Sequence, residues 1–265
     1  MISRGHRATT VAAVVTALVL QTAATVSADE IKVMTSGAFT AAYLELAAEF
    51  ERQTGHRIVT AATSMGVGAT SIDARLERGE AIDLVIVAAD ALERLIGRGH
   101  VRAGTRVDLA RSGIAMAVRS GAPKPDISTV DALRRTLLAA QSIAYSASVS
   151  GTYLSTELFQ RLGIADQVLP KSRRIDTERV GAVVARGEAE LGFQQLSELL
   201  PIAGIDVVGP LPAEVQRVTT FAGGIGSAAT HPETTTRFLE FLASPAAVSI
   251  IRKSALEPAT RGQLH

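Results

Sequence analysis

The chain contains no cysteine and no tryptophan, and only 4% of its residues are aromatic. Without cysteine the protein forms no disulfide bond and carries no lipid on a cysteine, so the fold depends on its hydrophobic core alone. The three tyrosines and seven phenylalanines are too few to predict aromatic platforms that stack sugars or bases. A small polar or anionic ligand fits this composition better.

Motifs of several enzyme classes are also absent. The sequence has no Gly-x-Ser-x-Gly nucleophile elbow and no phosphate-binding loop that ends in Gly-Lys-Ser/Thr, which argues against hydrolase and nucleotide-transferase functions. The histidines are isolated from one another, so local spacing predicts no metal site, and no other cofactor is expected. The formal net charge of +1 gives no indication of nucleic acid binding.

Residues 1–28 have the layout of a cleavable secretory signal. Arg4 and Arg7 precede an uncharged run that ends in Val26-Ser27-Ala28, and Asp29-Glu30 follow at once. A membrane anchor is the alternative interpretation, but threonine and glutamine dilute the apolar run, and no later stretch is long and apolar enough to span a bilayer. The pattern therefore predicts cleavage of the signal and a periplasmic protein.

Short apolar segments alternate with amphipathic segments along the rest of the chain. Strands are predicted at 31–34, 57–62, 83–88, 114–118, 142–145, 191–195 and 215–221. Residues 83–88 are nearly all apolar, which predicts a central strand of a parallel sheet. The alternation of strand, small-residue turn and helix predicts an α/β fold, and in such sheets ligands collect at the carboxyl ends of the strands.

Three turns rich in serine, threonine and glycine follow predicted strands. The most informative one leads from Tyr145 to Tyr153 and is predicted to open a helix at 154–162, and the turns at 35–37 and 63–66 have the same design. Each turn alone is explained as a helix cap, formed here by Ser150 or Thr152. Together they predict helix N-termini that point into a common cleft and bind a carboxylate or an oxyanion.

Charged and amide residues in the second half of the chain extend this hypothesis. Arg179 is predicted at the start of a helix, where its guanidinium can bind a carboxylate in bidentate fashion. Gln194 and Gln195 end an apolar strand, where buried amides need partners and a ligand would supply one. Tyr153, Glu178 and Asp90 are the candidates for proton transfer, although Asp90 is equally explained as a helix N-cap.

Several segments resemble the molybdate-binding family of periplasmic solute-binding proteins. The resemblance covers almost the whole chain after the signal and is carried by Ile31-Lys32-Val33, Ser36-Gly37-Ala38-Phe39-Thr40, the segment from Ala74 to Leu84, Ala89-Asp90, the segment from Gly187 to Gly192, and the segment from Phe238 to Ala247. It implies a type II periplasmic-binding-protein fold, in which two α/β lobes, each a mostly parallel sheet flanked by helices, close on a ligand in the cleft between them. The implied lobes are residues 29–112 with 222–265, and residues 113–221.

The family's ligand-contacting positions, carried over by this resemblance, fall on Ala38, Ser64, Ser150, Val180 and Gln195. Ser64, Ser150 and Val180 are compatible with the family pattern. Ala38 stands where the family has a serine hydroxyl, and Gln195 where it has a tyrosine. Two lost donors cost an oxyanion site about 1–3 kcal/mol each. The departures therefore argue against molybdate as the ligand.

This chain departs from the molybdate pattern at Ser64-Met65-Gly66 and Gln194-Gln195, and with these departures it resembles the aconitate isomerase branch of the family. That similarity implies an exported isomerase that interconverts cis- and trans-aconitate by an allylic proton shift, without a cofactor. The alternatives are a receptor that delivers an oxyanion or organic acid to an ABC transporter permease, and a sensor or scaffold protein.

The predicted site thus has two groups of residues. Tyr153 and Glu178 are the candidate catalytic residues. The predicted ligand-binding residues are Ser36, Gly37, Ser64, Met65, Gly66, Ser150, Gly151, Thr152, Arg179, Val180, Gln194 and Gln195.

Overall fold

The structure is a computed structural model that describes residues 28–35, 37–61 and 68–259. Within these ranges the strands are β1 (Glu30–Thr35), β2 (Arg57–Ala61), β3 (Leu84–Ala88), β4 (Val107–Arg119), β5 (Ile143–Ser146), β6 (Ser172–Ile175), β7 (Leu191–Gln195), β8 (Ile205–Pro210), β9 (Val218–Ile225) and β10 (Glu257–Pro258). Residues 1–27 of the predicted signal lie outside the described residues, as do Ser36, Ser64, Met65 and Gly66.

The α-helices of the same ranges are α1 (Thr40–Thr54), α2 (Ile72–Glu77), α3 (Ala89–Gly97), α4 (Val130–Ala139), α5 (Val149–Tyr153), α6 (Phe159–Arg161), α7 (Ala165–Val168), α8 (Val180–Ala185), α9 (Leu196–Leu199), α10 (Pro232–Leu242) and α11 (Val248–Lys253). A π-helical turn, Leu154–Leu158, joins α5 to α6, and short 3-10 helices lie at Gly37–Phe39, Leu169–Lys171, Ala213–Val215 and Pro245–Ala247.

Two groups of parallel strands form the sheet. β1 pairs in parallel with β2 and β3, and β5 pairs in parallel with β6 and β7. The antiparallel strands β9 and β4 lie between the two groups, in the order β2-β1-β3-β9-β4-β7-β5-β6. The predicted α/β fold with two lobes is confirmed. We call the group around β1 the first lobe and the group around β5 the second lobe; the residue boundaries given above stay a prediction.

Each lobe has its own hydrophobic core on both faces of its sheet. In the first lobe α1 and α10 cover one face, and α2 and α3 cover the other. In the second lobe α4 and the helical run from α5 to α7 cover one face, and α8 covers the other. All residues of β3 are buried, in agreement with its predicted central position.

The strand β4 changes partner where the lobes meet. Its first half, Val107 to Gly113, pairs with β9, and from Ile114 onward it pairs with β7. At this step the Gln216 side chain replaces a strand, because its Oε1 accepts from the Ile114 N–H at 2.8 Å and its Nε2 donates to the Ile114 carbonyl at 2.9 Å. The hydrogen-bonding groups of Ile114 are thereby satisfied at the crossing.

The predicted strand 215–221 begins and ends too early. The observed β9 runs to Ile225, so Gly223 and Gly224 lie inside the strand and not in a turn after it. Close packing explains these glycines, because a Cβ on Gly223 would lie 2.6 Å from Leu239 Cδ1 and one on Gly224 would lie 2.7 Å from Val101 Cγ1. Glycine here allows α10 and the α3–β4 connection to approach the sheet.

None of the helices in the described ranges is long and apolar enough to cross a membrane.

We expect Gly224→Ala to destabilise the protein by about 1–3 kcal/mol, because the added methyl group overpacks the contact with Val101 and Leu92. Gly97→Ala is the matched control, since it lies in α3 with no atom within 4 Å of the new Cβ, and it should be neutral or slightly stabilising. Urea unfolding measures both changes. Equal stabilities of the two variants would contradict this account of β9.

Candidate functional site

A cavity of about 530 Å³ lies across the boundary between the lobes. The first lobe contributes the end of β3 and the first two turns of α3, and the second lobe contributes the start of the α5 helical run. The first residues of β9 form the floor between them. The cavity volume is within the usual range for small-molecule sites. Of the predicted site residues, Thr152 and Tyr153 line this cavity, together with Asp90.

The cavity lining carries more positive than negative charge. Arg94, Arg106 and Arg217 line it, against Asp90 and Glu157. Arg106 is held by Asp108 at 2.8 Å and by Glu93 at 2.7 Å, and these hydrogen bonds raise its pKa. The sequence analysis missed these arginines, because they are far apart along the chain and no local motif marks them.

The helix after β5 begins earlier than predicted. Ser148 is the N-cap residue, with extended backbone, and α5 starts at Val149. Ser150, Gly151 and Thr152 therefore lie in the first turn of the helix and not in a turn before it. The helical run continues through the π-helical turn to Arg161. Val149 packs against the core of the first lobe, so this helix start contacts both lobes.

Three serine hydroxyls meet at the end of β5. Ser146 Oγ lies 2.7 Å from Ser148 Oγ and 3.0 Å from Ser150 Oγ, and the last two are 3.2 Å apart. Ser150 is completely buried. The predicted ligand-binding hydroxyl of Ser150 thus already has hydroxyl partners from the protein. Ser148, which sequence reasoning did not select, is the half-buried member of the group.

Close packing explains why position 151 is a glycine, which the sequence alone did not reveal. A Cβ at this position would lie 1.7 Å from the Ser146 carbonyl oxygen and 2.9 Å from the Tyr145 ring. Only glycine therefore lets the first turn of α5 pack against the end of β5. The residue shapes the site through this close approach.

Gln194 links the start of α8 to a buried carboxyl group. Its Oε1 accepts from the Val180 N–H at 3.0 Å, and its Nε2 donates to Glu198 Oε1 at 2.9 Å. The protein thus provides a partner for each end of this amide, so no ligand is needed to satisfy it, and the predicted ligand contact of Gln194 stays a prediction. The Val180 N–H, at a position where the family contacts its ligand, is also occupied.

Glu198 is a buried titratable residue that sequence reasoning did not select, and it does not line the cavity. It is 3% exposed, and burial raises its pKa to about 7, against the opposing effects of the Arg179 charge and of hydrogen bonds from Gln194 and the Gln195 backbone. Glu198 is the third residue of α9, from which a glutamate can reach back to the N-cap N–H, as in a capping box. No sequence signal separated it from an ordinary surface glutamate, because its burial arises from packing.

Arg179 lies beside this network. It is the N-cap residue of α8 and is half-buried, and its side chain forms no hydrogen bond or ion pair with any described residue, although its charge acts on Glu198. A half-buried guanidinium without a protein acceptor suits an anionic ligand. The predicted role of Arg179 in carboxylate binding stays a prediction.

The side-chain amide of Gln195 forms hydrogen bonds where β4 crosses between the lobes. Its amide lies 3.1 Å from Thr219 Oγ1, and with its nitrogen toward β4 it donates to the Gly113 carbonyl at 3.2 Å and to Ser112 Oγ at 3.0 Å. Thr219 lines the cavity, so Gln195 connects the cavity floor to the Gln194–Glu198 network. The protein thus provides partners for this amide as well, and the predicted ligand contact of Gln195 stays a prediction.

The two candidate catalytic residues have different surroundings. Tyr153 is buried, its hydroxyl donates to the Val215 carbonyl at 2.8 Å, and the Arg217 guanidinium lies 5.6 Å from its ring centroid. Glu178 is exposed and bound at 2.8 Å by both terminal nitrogens of Arg186, whose hydrogen bonds lower its pKa. A carboxylate with a lowered pKa transfers protons poorly near neutral pH, so these contacts argue against Glu178.

The turn after β1 faces the second lobe. The 3-10 helix Gly37–Phe39 packs against α9, and Gly37 has a positive φ of 58°. Ala38 is buried in the core of the first lobe. The short helix α9, which carries Glu198, therefore lies against the turn in which the family places its first ligand hydroxyl. Within the described ranges, no three histidine, aspartate or glutamate residues come together as metal ligands.

Residues 31–256 match the family model of the bacterial extracellular solute-binding proteins, and the chain belongs to this family. Its fold is similar to that of the periplasmic molybdate-binding protein of Azotobacter vinelandii, with a TM-score of 0.69 and 22% identity over 87% of this chain and 100% of that one. It is also similar to Peb3 from Campylobacter jejuni, with a TM-score of 0.64 and 14% identity over 86% of this chain and 99% of that one.

Among curated relatives, the chain is 48% identical over 227 residues to an aconitate isomerase from a Pseudomonas species, an alignment that covers 85% of this chain and 87% of the relative. It is 25% identical over 176 residues to the molybdate-binding protein ModA of Azotobacter vinelandii, covering 65% and 67%. The predicted relationship to molybdate-binding-like proteins, and to their aconitate isomerase branch, is confirmed.

We expect the stability of the protein to fall as the pH rises through the titration of Glu198. The raised pKa means that, between the ordinary value of 4.5 and about 7, the folded state keeps a proton that the unfolded state has lost. Stability is therefore greatest below this window and is reduced above it. Glu198→Gln removes the effect, so the free energy of unfolding of the wild type should decrease relative to the variant by roughly 2–3 kcal/mol from about pH 5 to about pH 8. Denaturant titrations at several pH values measure the free energy of unfolding of both proteins. The same pH dependence in the wild type and in Glu198→Gln would contradict this expectation.

Proposed function

We propose that this protein is an isomerase that interconverts cis- and trans-aconitate. The observation that carries the proposal is the 48% identity, over most of both chains, to the aconitate isomerase from a Pseudomonas species. The positively charged cavity between the lobes supports it, because aconitate is a small tricarboxylate. The buried carboxyl group of Glu198 supports it further, because a pKa near neutrality suits proton transfer at physiological pH.

The reaction is a proton shift along three carbon atoms. A base removes a proton from the saturated methylene carbon of aconitate, and the electron pair forms a double bond to the central carbon. The electrons of the former double bond take up a proton at its far carbon. One proton leaves and one is added, so the oxidation state of the substrate is unchanged. The protein must stabilise negative charge that spreads onto a carboxylate during the transfer.

We assign the roles as follows. Arg179, whose guanidinium has no protein acceptor among the described residues, binds a substrate carboxylate and lowers the energy of the delocalised anion. Glu198 moves the proton, and Gln194 orients it through the hydrogen bond of 2.9 Å. Tyr153 is the second candidate, since it lines the cavity, although its hydroxyl proton is directed to Val215.

The alternative is a receptor that passes an oxyanion or organic acid to an ABC transporter permease, in line with the 25% identity to ModA. Two features argue against molybdate as its ligand. Ala38 offers no hydroxyl, and the Val180 N–H already donates to Gln194. A tetrahedral oxyanion that is recognised only by hydrogen bonds loses these donors.

We expect the purified protein to convert trans-aconitate into cis-aconitate. Chromatographic separation of the two isomers measures the conversion. Glu198→Gln should lower kcat by about 100-fold or more and abolish the limb of the pH profile near neutrality. Glu178→Gln is the matched control, because it changes an exposed glutamate that Arg186 already binds, and Tyr153→Phe tests the second candidate. Absence of turnover at high enzyme concentration, together with a molybdate-induced increase in Tm, would support the receptor instead.

We also propose that the protein is exported and cleaved after Ala28. The layout of residues 1–28 and membership in an extracellular solute-binding family support this. N-terminal sequencing of protein from the periplasmic fraction should begin at Asp29. A full-length chain retained with the membrane fraction would contradict it.

A further inference from the structure

The cavity between the lobes has two arginines that no other residue holds tightly. Arg94, on the second turn of α3, donates from Nη1 to the Asp90 carbonyl at 3.1 Å and forms no ion pair with a described carboxylate. Its remaining guanidinium donors have no acceptor among the described residues. Arg217, which precedes β9, is contacted by Glu157 at 3.6 Å, and both side chains are about half exposed.

The third arginine of the cavity differs from these two. Arg106 is bound on two sides by Glu93 and Asp108, so its charge is compensated by the protein. By contrast, an exposed ion pair as long as that between Arg217 and Glu157 contributes little stability. Exchange of Glu157 for a ligand carboxylate at Arg217 therefore costs little.

The positions of Arg94 and Arg217 suit a bridging contact. Arg94 belongs to the first lobe, whereas Arg217 lies between the second lobe and the connecting strand β9. The Arg217 guanidinium lies over the ring of Tyr153, 5.6 Å from its centroid, and both residues line the cavity. Thr152 and Thr219 line the same cavity and provide hydroxyl groups. The cavity therefore presents positive charge and hydroxyl groups from both of its sides.

We propose that Arg94 and Arg217 form a carboxylate subsite that selects a tricarboxylate over a dicarboxylate. This inference rests on the proposed function for the identity of the substrate. The subsite holds one carboxylate of the ligand. Arg179 and Glu198 do not line this cavity, but the backbone of Gln195 forms a hydrogen bond with Glu198 and its side chain lies 3.1 Å from Thr219 in the cavity floor. Molybdate, a compact oxyanion, has no group for such a second anchoring point.

Binding of saturated analogues tests the subsite without turnover. Isothermal titration calorimetry compares tricarballylate, which has three carboxylates, with glutarate and methylsuccinate, each of which lacks a different one. Arg94→Met and Arg217→Met should each weaken tricarballylate binding by about tenfold. Binding of the dicarboxylate that keeps the carboxylate held by this subsite should be weakened to the same extent. Binding of the dicarboxylate that lacks this carboxylate should not change.

Two further variants make the test specific. Glu157→Gln releases Arg217 and removes a negative charge from the cavity, so it should strengthen tricarballylate binding several-fold. Arg98→Met is the charge control, because Arg98 follows α3, pairs with Asp73 and Glu77, and lies outside the cavity lining. It should leave all three affinities unchanged.

The outcomes separate this inference from the proposed function. The subsite would be overturned if tricarballylate bound both arginine variants with unchanged affinity. It would also be overturned if all three ligands lost affinity equally and Arg98→Met caused the same loss. Both conclusions hold even if the protein isomerises trans-aconitate. Arginine-dependent binding that follows the expected ligand pattern would support the subsite even in a protein that shows no turnover.

Discussion

The partner change of β4 is the constraint on which the two-lobed structure depends. One continuous strand pairs with β9 up to Gly113 and with β7 from Ile114, so the sheets of both lobes share its backbone. The crossing leaves backbone groups that neither sheet can satisfy, and Gln216 and Gln195 fill the gap with side-chain amides. Gln195 also contacts Thr219, which lies in the cavity floor. The hydrogen bonds that join the lobes therefore also position residues of the cavity lining.

This arrangement explains why the site departs from an oxyanion-binding pattern. At the end of β7, one amide supports the crossing and its neighbour links the Val180 N–H to Glu198. The backbone N–H at the start of α8 is thus connected, through the Gln194 amide, to a buried carboxyl group whose pKa burial raises to about 7. Such a group suits proton transfer to an organic acid better than recognition of a fully ionised oxyanion.

The lobe architecture was predictable because periodicity and small-residue turns are local signals. The buried run of β3 and the strand at 191–195 were placed correctly for this reason. The limits of β9 were wrong, since Gly223 and Gly224 resemble turn residues until Leu239 and Val101 are seen against them. The start of α5 was placed too late for a similar reason: Gly151 resembles a turn residue, but it lies in a helix that packs on the Ser146 carbonyl.

The sequence by itself determined the class of fold and the lack of disulfides, because composition and spacing along one chain are sufficient for these. The position of Arg179 at the start of a helix was also predictable, whereas its role in carboxylate binding stays a prediction. Only the tertiary structure decided that Gln194 and Gln195 are satisfied by protein, that Glu198 is buried, and that Arg94 and Arg217 line one cavity. Burial and electrostatic surroundings depend on residues that are distant in sequence, and these meet only when the two lobes are folded together.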